Sequence, residues 1–211
     1  MALEITWLGR TCFRLKGREG IVLTDPCPPQ SGYKIGKVDS EVITVSRRDD
    51  PGFSYTDAAK NGGKILDVPG EFEVGGILVS GIAMKRADGS RNVAFIIELD
   101  GIRIGHLGVP PATLTAAQLD GLSTVDILLL PVGGAGQLSM TAAVAADLMT
   151  TVDPKVAIPM LYKTPVEKLE IDPLERFLKE TGVRPEPQPR FQSTRAGLPA
   201  ELSIVVLEPR G

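Results

Sequence analysis

The sequence predicts an α/β fold in which two stacked sheets carry helices on their outer faces. Three observations point there: the first hundred residues read as short strands broken by turns, the remainder alternates helix and strand, and 23 glycines and 17 prolines supply the punctuation. Strands are predicted over 3–8 and 12–15, joined to 21–24 through the polar tip Lys16-Gly17-Arg18-Glu19-Gly20. Asp25-Pro26-Cys27-Pro28-Pro29 must leave the sheet, because proline cannot donate to a ladder. The β-branched run 42–45 reads as a buried strand ended by Asp50-Pro51-Gly52, and 54–60 as a short helix. Strands follow at 64–68, 72–74 and 77–82, then a hairpin of 93–99 and 102–104 across Asp100-Gly101. Beyond His106 come a helix from Leu114-Thr115 to Leu119, a buried strand over 125–130, and a helix capped by Ser139 that ends at Asp153-Pro154. A strand over 156–158, a helix from Pro173 to Lys179 closed by Gly182, and a strand over 202–207 complete the pattern, with the Pro-rich 184–190 as a surface connection.

At 211 residues the chain fits one domain, 1–211, and an apolar fraction of 43% suffices for a core. A net charge of −3 gives no global attraction to nucleic acid or an anionic membrane, so neither is an expected partner. The longest apolar run, 127–132, is too short to span a bilayer, and Met1-Ala2-Leu3-Glu4-Ile5 has no basic leader, so the expected location is the cytoplasm with Cys12 and Cys27 as free thiols. His106 is the single histidine.

Six segments, in order, resemble the metallo-β-lactamase superfamily, in its small bacterial branch of Zn-dependent hydrolases. These are Ile5-Thr6-Trp7-Leu8-Gly9-Arg10-Thr11-Cys12-Phe13, Thr24-Asp25-Pro26, Val68-Pro69-Gly70-Glu71-Phe72-Glu73-Val74-Gly75-Gly76-Ile77, and Asp100-Gly101-Ile102-Arg103-Ile104-Gly105-His106-Leu107-Gly108, then Asp126 to Gly134 and Ile158 to Thr164. The resemblance runs from residue 2 to about 170 and implies a four-layer αβ/βα sandwich of two mixed sheets.

That family uses one or two metal ions, usually zinc, to make a hydroxide nucleophile. Its H-x-H-x-D-H loop follows a buried strand, and here the corresponding segment reads Ser46-Arg47-Arg48-Asp49-Asp50-Pro51-Gly52. In register, Arg47, Asp49, Pro51 and Gly52 stand at the four ligand positions, and only Asp49 could ligate. The later ligands fall at Lys85-Arg86, Val109 and Leu161, and a histidine usually stands at Arg10. Guanidinium groups are always charged and have no lone pair for a metal. His106 reads as a packed, hydrogen-bonded histidine. Gly133-Gly134-Ala135-Gly136 precedes a helix but lacks the lysine and serine of a phosphate loop, so a tight turn is the simpler reading.

The resemblance therefore implies that Arg10, Arg47, Arg48, Lys85 and Arg86 gather round the metal cleft with Asp25, Asp49, Asp50 and His106. The pairing expected first is Arg47 with Asp25 or Asp49. The leading expectation is a non-catalytic, self-associating binding module without a metal cofactor. The competing expectations are a metal-dependent (zinc) hydrolase with altered ligands, acting on a phosphoester, lactone or amide, and a sensor of a small anionic ligand.

Overall fold

The computed structural model describes residues 2–134 and 140–210. Leu3–Gly9 (β1), Cys12–Lys16 (β2) and Ile21–Thr24 (β3) form an antiparallel meander, as their alternation dictates. Val42–Thr44 (β4) adds in parallel to β3, Lys64–Leu66 (β5) adds in parallel to β4, and Phe191–Ser193 (β12) closes the other edge against β1, giving the order β12-β1-β2-β3-β4-β5. A second sheet takes Gly70–Val74 (β6), Ile77–Lys85 (β7), Arg91–Leu99 (β8) and Ile102–His106 (β9) as antiparallel neighbours. Ile127–Pro131 (β10), Val156–Met160 (β11) and Ser203–Ile204 (β13) then continue it in parallel, in the order β13-β11-β10-β9-β8-β7-β6. The expected α/β architecture of two mixed sheets is what the chain adopts.

Period-two alternation sorts the side chains of the first sheet. Ile5, Trp7, Phe13, Leu15 and Val22 face inward and join Val79, Phe95, Ile97, Ile104 and Leu129 in one core. Leu8, Cys12 and Leu23 turn outward onto Cys27, Tyr33, Val38 and Ala58. Covering this outer face are the irregular 26–41 segment and two 3₁₀ turns, Pro29–Ser31 and Thr56–Ala58. Over the second sheet, Ala116–Leu122 (α1) packs on β7, Ala142–Val152 (α2) on β10, and Leu174–Thr181 (α3) against α2. Thr115 starts α1 with a capping box to Gln118.

Three local expectations need correction, and one strand was not expected. The helix over 54–60 shrinks to the Thr56–Ala58 turn, because Ala58 and Lys60 bond across to Val38 instead of continuing a helical ladder. Thr141, whose hydroxyl accepts from the Val144 amide, caps α2; the expected cap Ser139 and most of the Gly133–Gly136 turn lie outside the described residues. The strand over 202–207 is cut to Ser203–Ile204, since Val206 and Glu208 pair with Gln188. Phe191–Ser193 forms an edge strand that its three-residue length concealed. Among the described residues, no helix is long and apolar enough to cross a membrane.

Candidate active-site cleft

The C-terminal ends of β3, β4, β9, β10 and β11 converge on one side of the sandwich, where open α/β sheets generally hold ligands. Their loops are tied together by backbone bonds. The Val93 amide donates to the Ser46 carbonyl, the Leu161 amide to Arg10, and the Gly133 amide to Leu161. Asn92 clamps the loop after β9, donating to the Leu107 carbonyl at 2.9 Å and accepting from the Val109 amide at 2.8 Å.

Asp25 forms the floor. It sits just past β3 at φ 36° and is fully buried. Its carboxylate accepts from the Ser46 amide at 2.6 Å and the Ser46 hydroxyl at 2.5 Å, which anchors the start of the 46–52 loop. His106 Nε2 lies 3.9 Å from Asp25 Oδ2 and 2.8 Å from the Thr11 carbonyl. A carbonyl oxygen only accepts, so Nε2 carries the proton and Nδ1 is the bare nitrogen, without a hydrogen-bond partner among the described residues. Burial pushes the Asp25 pKa up, against the pull of His106 and Ser46, and burial pushes the His106 pKa down, against the pull of Asp25.

These shifts set an acid dependence. With the His106 pKa lowered in the folded state, the unfolded chain binds the extra proton first, so stability falls as pH drops below about 6.5. The raised Asp25 pKa acts oppositely, because the folded state binds the extra proton in the window above the ordinary value near 3.9. The His106 share is therefore isolated by variant. Urea midpoints measured between about pH 7 and 5 are expected to fall more in the wild type than in His106→Gln. Equal slopes would contradict this account of the site.

The arginines are placed more specifically than expected. Arg10, at φ 50° on the β1–β2 turn, is buried and grips Glu167 in a bidentate pair, with Nη2 to Oε1 at 3.0 Å and Nε to Oε2 at 3.2 Å. Its Nη1 reaches the Gly52 carbonyl at 3.3 Å. Arg47 pairs with Asp50 at 3.3 Å, and both Arg10 and Arg47 lie over the buried Phe53 ring, at 5.9 and 5.6 Å. The buried Arg86 donates from Nη1 to the Val109 carbonyl at 2.7 Å and lies 3.8 Å from Asp88.

The structure thus brings Arg10, Arg47 and Asp50 together around Phe53, with Arg86 close to Arg47, while Asp25 anchors the same loop through Ser46 and touches His106. Arg48 turns out to pair with Asp67 at the surface, and Asp49 is exposed without an ion pair among the described residues. Lys85 does not join: strand alternation sends it to the opposite side from Arg86, onto a surface groove with Pro69, Arg91 and Gln118. The expected partner of Arg47, Asp25 or Asp49, is replaced by Asp50, because Ser46 occupies the Asp25 oxygens. Glu167, Phe53, Ser46 and Asn92 were not among the expected site residues. Glu167 stands 157 positions from Arg10, and no local spacing signals that pair.

The β-lactamase superfamily domain profile matches residues 4–161, which include every loop described above except the one carrying Glu167. The chain belongs to the metallo-β-lactamase superfamily. A Thermotoga maritima protein of this superfamily, named for Zn-dependent hydrolysis, superposes with a TM-score of 0.83 at 30% identity, covering 99% of this chain and 100% of its own. A UPF0173 protein of Pyrococcus furiosus is 30% identical over 86% of this chain and 92% of its own length. A UPF0173 metal-dependent hydrolase of Archaeoglobus fulgidus is 25% identical over 86% and 93%.

These superfamily relatives correct the leading expectation. A non-catalytic module with a degenerate metal site and no cofactor is not what they support, since they are named metal-dependent hydrolases. The overall fold is retained over 99% of the chain even though the expected ligand positions carry other side chains. Among the described residues the side chains do not compose a zinc centre of three or four protein ligands. Among the described residues no three of His, Cys, Asp or Glu converge on a common point, and residues 135–139 read Ala-Gly-Gln-Leu-Ser. Both Asp25 oxygens are engaged by Ser46, Asp50 faces Arg47, and burial pushes the Cys12 and Cys27 thiols up, away from the thiolate form that binds metals.

Proposed function

We propose that this chain is a metal-dependent hydrolase with an atypical ligand set, acting on a phosphoester, lactone or amide. The observation that carries the reading is the near-complete structural overlap, at 30% identity, with a superfamily member named for Zn-dependent hydrolysis. In the family such a metal supplies an activated water and polarises the scissile group. The chain's own contribution is architectural and electrostatic. Asp25 fixes the 46–52 loop through Ser46, Asn92 fixes the 107–109 loop, and Arg10 with Glu167 locks the β1–β2 turn to the segment after β11. Together they fix the strand-end loops that carry Arg47, the side chain proposed to meet substrate.

The test is a turnover screen of the purified protein with divalent zinc or manganese present, using aryl phosphoesters, lactones and anilides. Hydrolysis of one of these classes is the expected result, and Asp25→Ala, which frees the 46–52 loop, is expected to lower it at least tenfold. No turnover of any class would overturn the proposal.

A further inference from the structure

Three guanidinium groups lie close together beside the 46–52 loop, and two of them are held by hydrogen bonds. Arg10 is held by both oxygens of Glu167 and by the Gly52 carbonyl. Arg86 donates to the carbonyls of Val109 and Pro110. Arg47 differs. Its side chain is only 14% exposed, yet among the described residues its guanidinium makes no hydrogen bond. Its one ion pair among the described residues is the 3.3 Å approach to Asp50, a carboxylate that is 30% exposed and already accepts the Gly52 amide at 2.9 Å.

A guanidinium carries five N–H donors in a planar fork, and shielding such a group from water without filling that fork is unfavourable. The side chain is nonetheless held in place. The Phe53 ring supports it at 5.6 Å, and that ring is itself buried and flanked by Arg10. Like charge is also near, because Arg47 is, after burial, the main cause pushing the Arg86 pKa below its usual value. A pre-placed cation with open donors, beside a second cation, is complementary to a compact dianion with several acceptor oxygens.

We propose that Arg47 is an anion-binding residue that takes the phosphoryl group of the substrate, with Arg86 beside it and Phe53 as the wall that fixes its fork. This rests on the hydrolase reading and narrows it to phosphoesters. A monocarboxylate carries one negative charge and two oxygens against two guanidinium groups, so a phosphoryl dianion with three acceptor oxygens matches the pair better.

Binding can be tested without turnover, so its failure is separable from failure of the hydrolase reading. Inorganic phosphate is titrated calorimetrically into wild type, Arg47→Gln, Arg47→Lys and the surface control Arg48→Gln, with acetate and citrate run alongside. Saturable phosphate binding by the wild type is expected, weakened at least tenfold in Arg47→Gln, less in Arg47→Lys, and unchanged in Arg48→Gln. Should Arg47→Gln fail to fold, phenylglyoxal labelling of the wild type, mapped by mass spectrometry, reads the same site: phosphate is expected to slow modification of Arg47 and leave Arg48 unaffected. No saturable phosphate binding, equal affinity in Arg47→Gln, unprotected Arg47, or acetate and citrate binding as tightly as phosphate would each overturn the proposal.

Discussion

Glu167→Ala is expected to cost the folded state about 3–5 kcal/mol, because it strands the buried Arg10 guanidinium without its counter-charge. Both side chains are almost completely shielded from water, so little solvent screening softens the loss. In a chain of this length the melting temperature should fall by on the order of 10 °C. The pair need not stabilise the fold relative to an apolar contact of the same volume, because desolvating two charges offsets much of their attraction. The double variant Arg10→Met with Glu167→Leu is accordingly expected to recover most of the loss. Urea unfolding of the single and double variants reads both. A Glu167→Ala variant as stable as the wild type, or a double variant as unstable as the single, would show that the pair does not tie the β1–β2 turn to the 164–168 segment.

Gly108→Ala should be as damaging, for a steric reason, and should damage the cleft directly. Gly108 sits at φ 62°, a region that L-residues adopt only with strain, and an added Cβ would collide with the Ser46 side chain and stand 2.7 Å from Asn92 Oδ1. Those neighbours cannot yield cheaply. Ser46 holds both Asp25 oxygens, and Asn92 holds the loop on either side of Gly108. Left-handed strain and overpacking together should cost about 3 kcal/mol. Phosphate binding and turnover should fall with stability, because the 46–52 loop carries Arg47. A folded Gly108→Ala protein with undiminished phosphate affinity would mean that the cleft walls tolerate movement here.

How much of this was legible in sequence depends on whether local pattern or distant contact decides a feature. The meander from β1 to β3 and the β8–β9 hairpin follow from alternation and from the Asp100-Gly101 turn, so they could be read directly. His106 as a packed histidine could be read too, since it ends a buried strand. Arg10 with Glu167 could not: the pair joins a turn near one end of the chain to a segment 157 residues on, with neither motif nor period between them. Arg47 was visible as a cation at a ligand position, but its partner was misjudged because the two hydrogen bonds from Ser46 to Asp25 are invisible without coordinates. Functional class was misread for a related reason. The reading rested on side-chain identity, whereas what the chain shares with a superfamily relative named for Zn-dependent hydrolysis is the fold, over 99% of its length.

Dependence of turnover on added divalent metal tests the central claim most directly. Among the described residues no three ligating side chains converge, short of the three or four protein ligands of an ordinary zinc site, so the purified protein should need zinc or manganese in the assay. The account predicts a rate that rises saturably with metal, vanishes with excess chelator and returns when metal is restored. Turnover indifferent to chelator, or absent at every metal concentration, would contradict it.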